Sequence, residues 1–162
     1  MPSDADFDLV SIGSYEDNLC TPDLLEDFDF RGIRIHAPRR VALEGKPDDF
    51  DNFARAVVCG AYQLDSNYLG MQERFLPYLF FVAVDAKSHE ARSGKLPIPQ
   101  RPGGSVLPAG LTDADWEGRS VIEFFNPNLV SVLGLPEREA EYLVYVSLGD
   151  YVSNIVRMSL ER

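Results

Sequence analysis

Histidine and cysteine are scarce in this chain, two of each among 162 residues, and the scarcity removes whole classes of chemistry. Cys20 and Cys59 lie far apart in sequence with no C-x-x-C pair, and with His36 and His89 they show no zinc-ligand spacing. No G-x-S-x-G elbow is present, so a serine nucleophile of that type has no seat. The glycine-rich stretch Arg101-Pro102-Gly103-Gly104-Ser105 lacks the lysine, the spacing and the following helix of a phosphate cradle. Long apolar runs are missing too: the stretch from Tyr78 to Val84 falls far short of a membrane span. The opening Met1-Pro2-Ser3-Asp4-Ala5-Asp6 carries neither a basic nor an apolar leader region, and the chain reads as cytoplasmic. In that reducing setting the two cysteines are expected as free thiols, with Cys59 a small core residue. A Cys20–Cys59 disulfide is the alternative, and it needs an oxidising compartment.

Basic residues are missing from one region altogether. Residues 1–30 hold nine acids (Asp4, Asp6, Asp8, Glu16, Asp17, Asp23, Glu26, Asp27 and Asp29) and no lysine or arginine, so they carry −9 of the net −11. The rest of the chain contains every basic side chain and is nearly balanced. Nucleic acid and anionic membranes are bound through Lys and Arg, so neither is an expected partner. A basic protein fits the acidic block, and simple solvation is its plainest role. Arg31, Arg34, Arg39 and Arg40 follow directly; they would fold back to neutralise the block, or else hold an anion or acidic peptide.

Hydrophobic residues make up 45% of the chain, enough for one folded domain over 1–162. The clearest pattern lies at the C-terminus, where Tyr142, Val144, Val146 and Leu148 alternate with Leu143, Tyr145 and Ser147. Gly149-Asp150 breaks the run, and Val152 to Leu160 alternate after it. A two-residue loop alone would put Val156 and Met158 on the wrong face. The pattern therefore predicts a three-residue loop pairing Leu148 with Val152 and Val144 with Val156, or a bulge with the same effect.

Further strands are predicted at Phe7–Ile12, at Gly32–Leu43 (broken by Pro38, hence an edge), at Phe75–Asp85, near Ala91–Leu96 and at Arg119–Phe125. Residues 48–64 read as a turn and then a strand near 54–64, although Phe50, Phe53, Ala54, Val57 and Val58 also fit helical spacing. Pro127 to Gly134 looks like one short helical turn, and residues 97–110 form a Pro/Gly-rich loop. Many strands and few helical periods point to a mainly β fold: a single-domain antiparallel β-sandwich, immunoglobulin-like or related, with one or two short helices.

Catalytic constellations are weak. Asp85, Ser88, His89 and Glu90 are sequence neighbours in a turn, and His89 is expected as a surface residue. His36 alternates with Ile33 and Ile35, so an exposed or hydrogen-bonded structural role is expected. Glu123, between Ile122 and Phe124, is the best candidate for a carboxylate with a raised pKa, yet alternation places it on the solvent face. Asp4-x-Asp6-x-Asp8 and Asp48-Asp49-x-Asp51 are dense in oxygen ligands, but neither continues as an EF-hand. No cofactor is called for and no enzyme is expected. The reading is a non-enzymatic acidic protein-binding module, in its most specific form an inhibitor or immunity-type partner of a basic protein. Asp23, Glu26, Asp27 and Asp29 would steer that partner, and Tyr15, Phe28 and Phe30 would anchor it. Phe7 is a further interleaved aromatic. The alternatives are a structural subunit of a protein assembly and, third, a calcium-binding β-sandwich or a hydrolase.

Overall fold

A computed structural model describes residues 1–24, 29–44, 54–66, 68, 75–98 and 120–162. Among them the chain is mainly β, with two sheets and two short helices. Helix α1 spans Asp4–Asp8 and α2 spans Leu129–Leu133. The strands are β1 Gly32–His36, β2 Arg40–Ala42, β3 Cys59–Asp65, β4 Phe80–Asp85, β5 Ala91–Lys95, β6 Ser120–Phe125, β7 Ala140–Leu148, β8 Tyr151–Val152 and β9 Val156–Glu161. One sheet has the order β1-β3-β6, all antiparallel; the other runs β2-β9-β7-β4-β5, with β8 on β7 and a parallel β2–β9 pair. Pro38 explains why Gly32–Leu43 is two strands: it has no N–H for a ladder, and across it the chain leaves one sheet and joins the other.

The main hydrophobic cluster draws on both sheets. Ile33, Ile35, Tyr62, Leu64 and Phe125 come from the first, and Phe81, Val144, Val146, Met158 and Leu160 from the second. Phe81 and Phe125 meet edge to face across it, with ring centroids 5.5 Å apart. Gly60 is what lets the Phe125 ring lie on β3, since a Cβ there would overlap that ring.

The terminal hairpin keeps the expected phase by the bulge. Leu148 pairs with Tyr151 across a tight Gly149-Asp150 turn, in which Gly149 takes a positive φ of 55°. Val144 nevertheless pairs with Val156, so one extra residue is absorbed between β8 and β9. Ser153 makes this possible. Its N–H donates to the Val146 carbonyl, and its hydroxyl accepts from the Val146 N–H, both at 2.8 Å.

Two expectations fail. Phe7–Ile12 is not a strand; α1 begins before it because the Ser3 N–H and hydroxyl both donate to the Asp6 carboxylate, at 2.7 and 2.9 Å. Phe7 and Val10 then fall on one side and bury together. The cysteines are not free thiols: Cys20 and Cys59 are joined in a disulfide, their Cα atoms 5.8 Å apart and both side chains buried. Cys59 opens β3 beside Val57, Phe7 and Val10, and the loop after α1 brings Cys20 to the same cluster. Of the segment read as a turn and strand, β3 begins at Cys59, and Val57 forms an isolated bridge to Asn128. Phe75–Asp85 is a strand only from Phe80, because Pro77 sits in a 3-10 turn over Leu76–Tyr78. Residues 45–53 and 99–119, with most of the Pro/Gly-rich loop, lie outside the described residues.

Three asparagine side chains fasten the irregular segments. Asn128, buried, accepts from the N–H groups of Ala56 and Val130 and donates to the Ala54 carbonyl. Asn126 clasps Ser14 through its N–H and its hydroxyl, at 2.9 and 2.8 Å. Asn154 accepts from the Ile35 N–H at 2.9 Å and donates to the Ile35 carbonyl at 3.0 Å, as a neighbouring strand residue would. Each satisfies backbone groups that would otherwise be costly to bury.

Candidate functional site

The N-terminal segment through Cys20 forms a fixed, negatively charged surface. Arg55 gathers the chain end of α1: its Nη2 donates to the carbonyls of Val10, Phe7 and Asp8 at 2.7, 3.4 and 3.4 Å. A guanidinium suits the negative end of a helix. Beyond it the Gly13 N–H donates to the Asn126 carbonyl at 3.2 Å, and Ser14 is held by the same residue's side chain. Asn18 and Thr21 close a turn on each other, and the Cys20–Cys59 bond ties the loop to β3. The ring Nδ1 of His36 lies 3.1 Å from the Cys20 carbonyl, which gives this histidine its hydrogen-bonded structural place.

That framing leaves two leucines in water. Leu9 is 77% exposed and Leu19 74%, and both line one shallow cavity of about 490 Å³ with Asp6, Val10, Asp17 and Asn18. Asp4, Asp6, Asp8, Glu16 and Asp17 belong to this segment, and no lysine or arginine does. The segment thus presents two exposed leucines beside carboxylates on one surface.

Of the residues expected to bind, the two described aromatics are both half-buried. Tyr15 is half-buried against the main core in a left-handed conformation, φ 54°. Phe30 is half-buried too, with the Arg34 guanidinium 4.3 Å above its ring. Asp23 and Asp29 are exposed, and Glu26, Asp27 and Phe28 lie outside the described residues. Arg31 pairs with Asp65 of β3 at 2.9 Å, and Arg40 approaches Glu161 at 4.0 Å. From Arg39 it is the backbone N–H that meets the acidic block, at Asp4, 2.8 Å. Leu9 and Leu19 are not among the expected anchors. Their signal is a leucine within two residues of an aspartate in a segment without bases, and it reads equally well as a strand's inner face.

The other candidates have structural employment. Asp85 accepts from the N–H groups of Lys87 and Ser88 at 2.8 and 3.0 Å, closing the β4–β5 hairpin loop. Those two N–H groups, with the Arg138 guanidinium 3.9 Å away, hold its carboxyl below the usual value despite burial. Exposed His89 occupies that loop with φ 63°. Glu123 is half-buried rather than solvent-facing, opposite Tyr62 on β3, and accepts the Tyr62 hydroxyl. Among the described residues no group of three His, Cys, Asp or Glu side chains is placed to hold a metal ion. Asp48, Asp49, Asp51 and the Arg101–Ser105 stretch lie outside them. No helix among the described residues is long and apolar enough to cross a membrane. No protein-family model matches the chain, and comparison with curated proteins and with solved structures finds no significant match.

Proposed function

We propose that this chain is a non-enzymatic protein-binding module whose acidic N-terminal face docks a basic protein, as an inhibitor or immunity-type partner would. The observation that carries the reading is the pair Leu9 and Leu19, 77% and 74% exposed in a segment without lysine or arginine. Burying a leucine is worth about 1.5–3 kcal/mol, so the two would contribute about 3–6 kcal/mol toward the cost of association. The surrounding carboxylates would mainly speed encounter and select against acidic proteins. Fixation by Arg55, Asn126 and the disulfide lowers the entropy lost on binding.

The narrower reading of the fold is an immunoglobulin-like sandwich. Its support is the strand order once the short β2 and β8 are set aside. The second strand, β3, then lies between the first and the fifth, β1 and β6, while the sixth, β7, lies between the third and the seventh, β4 and β9. Immunoglobulin sandwiches place their second and sixth strands in the same way. The cytoplasmic location expected from the N-terminus is harder to reconcile with a buried disulfide. We place the working protein in an oxidising compartment.

The test uses the oxidised full chain and a partner captured from its native cells. Glu16→Lys with Asp17→Lys should slow association about tenfold at low salt, an effect that fades as salt screens it. Leu9→Ser with Leu19→Ser should instead accelerate dissociation. A captured partner that binds both variants as it binds the parent overturns the reading and favours the structural-subunit alternative, which would use a sheet edge such as exposed β5.

A further inference from the structure

Of the arginines that follow the acidic block, Arg39 touches it through its backbone N–H, at Asp4, and turns its side chain elsewhere. Arg39 and Arg40 line a separate cleft of about 860 Å³, with His36 of β1, Arg157 and Glu161 of β9, and Asp4. Its volume is in the range of small-molecule sites. The side chains of Arg40 and Arg157 are 78% and 67% exposed, so they keep freedom to reorient. Arg157 is engaged with Glu141 at 3.2 Å, whereas Arg40 meets Glu161 only at 4.0 Å. Among the described residues the Arg39 guanidinium has no carboxylate within ion-pair distance. With Arg157 neutralised by Glu141, the guanidiniums of Arg39 and Arg40 face Asp4 and Glu161 in one concavity, and among the described residues that of Arg39 is the one left to meet an added anion.

We infer that this cleft binds a small ligand carrying at least two neighbouring negative charges, a phosphate ester or a polycarboxylate. The guanidinium fork matches either group with two parallel N–H donors. The Asn154 amide is already spent on Ile35, so Arg39 and Arg40 must supply the recognition, with Ser159 beside them. Ile155, 64% exposed on the same wall, offers apolar surface to the remainder of the ligand. This site is independent of the basic-partner reading: it requires an anion where that face requires a cation.

Inorganic pyrophosphate and citrate are the probes, titrated into the oxidised full chain at low ionic strength by calorimetry and by amide NMR. Pyrophosphate or citrate should bind with Kd below about 1 mM and shift the amides of residues 36, 39, 40 and 155–159. Arg39→Gln and Arg40→Gln should each weaken binding about tenfold, and Lys87→Gln, on the β4–β5 loop, should not. Binding of pyrophosphate alone assigns a phosphate ester, of citrate alone a polycarboxylate, and of both a site that reads charge density. The inference is overturned if neither probe binds at about 10 mM, or if binding survives both arginine variants unchanged. Because the NMR shifts locate the ligand on the unmodified chain, a variant that folds poorly leaves the test intact.

Discussion

Removing the Cys20–Cys59 bond should cost this protein a large share of its stability. The bond joins residues 39 apart in sequence, and that loop holds β1, β2 and the start of β3. Loop-closure entropy for a ring of this size corresponds to about 4 kcal/mol at 25 °C. For a domain of this length, each kcal/mol moves the melting temperature by about 2–4 °C, so Cys20→Ala with Cys59→Ala should melt roughly 8–16 °C lower. The damage should begin locally. Cys20 and Cys59 form a small cluster with Phe7, Val10 and Val57, apart from the main core, so α1 and its loop should open before the sheets do. Calorimetry of the parent, with and without a phosphine reductant, gives the first readout. Cleavage by an endoproteinase specific for acidic residues gives the second, because trypsin has no site within residues 1–30. Cleavage between Asp4 and Asp17 should be slow in the oxidised protein and fast after reduction. A melting temperature unchanged within about 2 °C, together with two titratable thiols in the untreated protein, would refute the reasoning.

Other perturbations test the framework and its titrating groups. Gly60→Ala drives a methyl into Phe125 and should cost about 1–3 kcal/mol in urea unfolding, with Phe125→Leu recovering part of the loss; strictly additive effects would contradict the contact. Asn128→Ala strips the Val130 N–H of its cap and leaves the Ala56 N–H and the Ala54 carbonyl only their mutual 3.2 Å bond, and should destabilise by roughly 2 kcal/mol; a loss below about 1 kcal/mol would mean that water replaces the amide. Asp85 has a lowered folded pKa, so its contribution is present above its ordinary value of 3.8 and is lost as pH falls through the folded value. Asp85→Asn should flatten the acid limb of a stability–pH profile below about pH 4, and an unaltered limb would be the contrary result. Burial, aided by the nearby Asp85 carboxylate, pushes the Tyr142 phenol up. Its contribution holds below the ordinary value of 10.0 and is lost as pH rises through the folded value, so Tyr142→Phe should blunt alkaline unfolding in a urea titration; an identical alkaline limb would contradict it.

Much of the sheet architecture could be read from alternation, since a period of two survives wherever one face is buried. That is why the pairing of Val144 with Val156 was legible, while loop and bulge were not separable: both restore the same phase. Only Ser153, whose hydroxyl stands in for a ladder acceptor, decides between them. Phe7–Ile12 misleads because Phe7 with Leu9, and Val10 with Ile12, keep strand alternation while Phe7 with Val10 keeps helical spacing, and the decisive bond lies upstream, between Ser3 and Asp6. The disulfide stood only as the alternative because two cysteines so distant in sequence carry no sign of meeting in space. At the acidic face the charge was legible and the anchors were not. Exposure of Leu9 and Leu19 follows from where Arg55 and Asn126 pin the backbone, which is a tertiary property.

Asn154 makes one seam of the fold depend on a single amide. Its side-chain amide serves Ile35 as a peptide group would, with one donor and one acceptor each correctly aimed. Asparagine is among the thermolabile residues. Hydrolysis of this amide to a carboxylate would turn the donor facing the Ile35 carbonyl into a second acceptor, so that attraction becomes repulsion at the seam between β1 and the β8–β9 junction. Asn126 and Asn128 are sheltered by burial, but Asn154 is exposed. Asn154→Asp, which makes that change outright, should therefore part β1 from the β8–β9 junction.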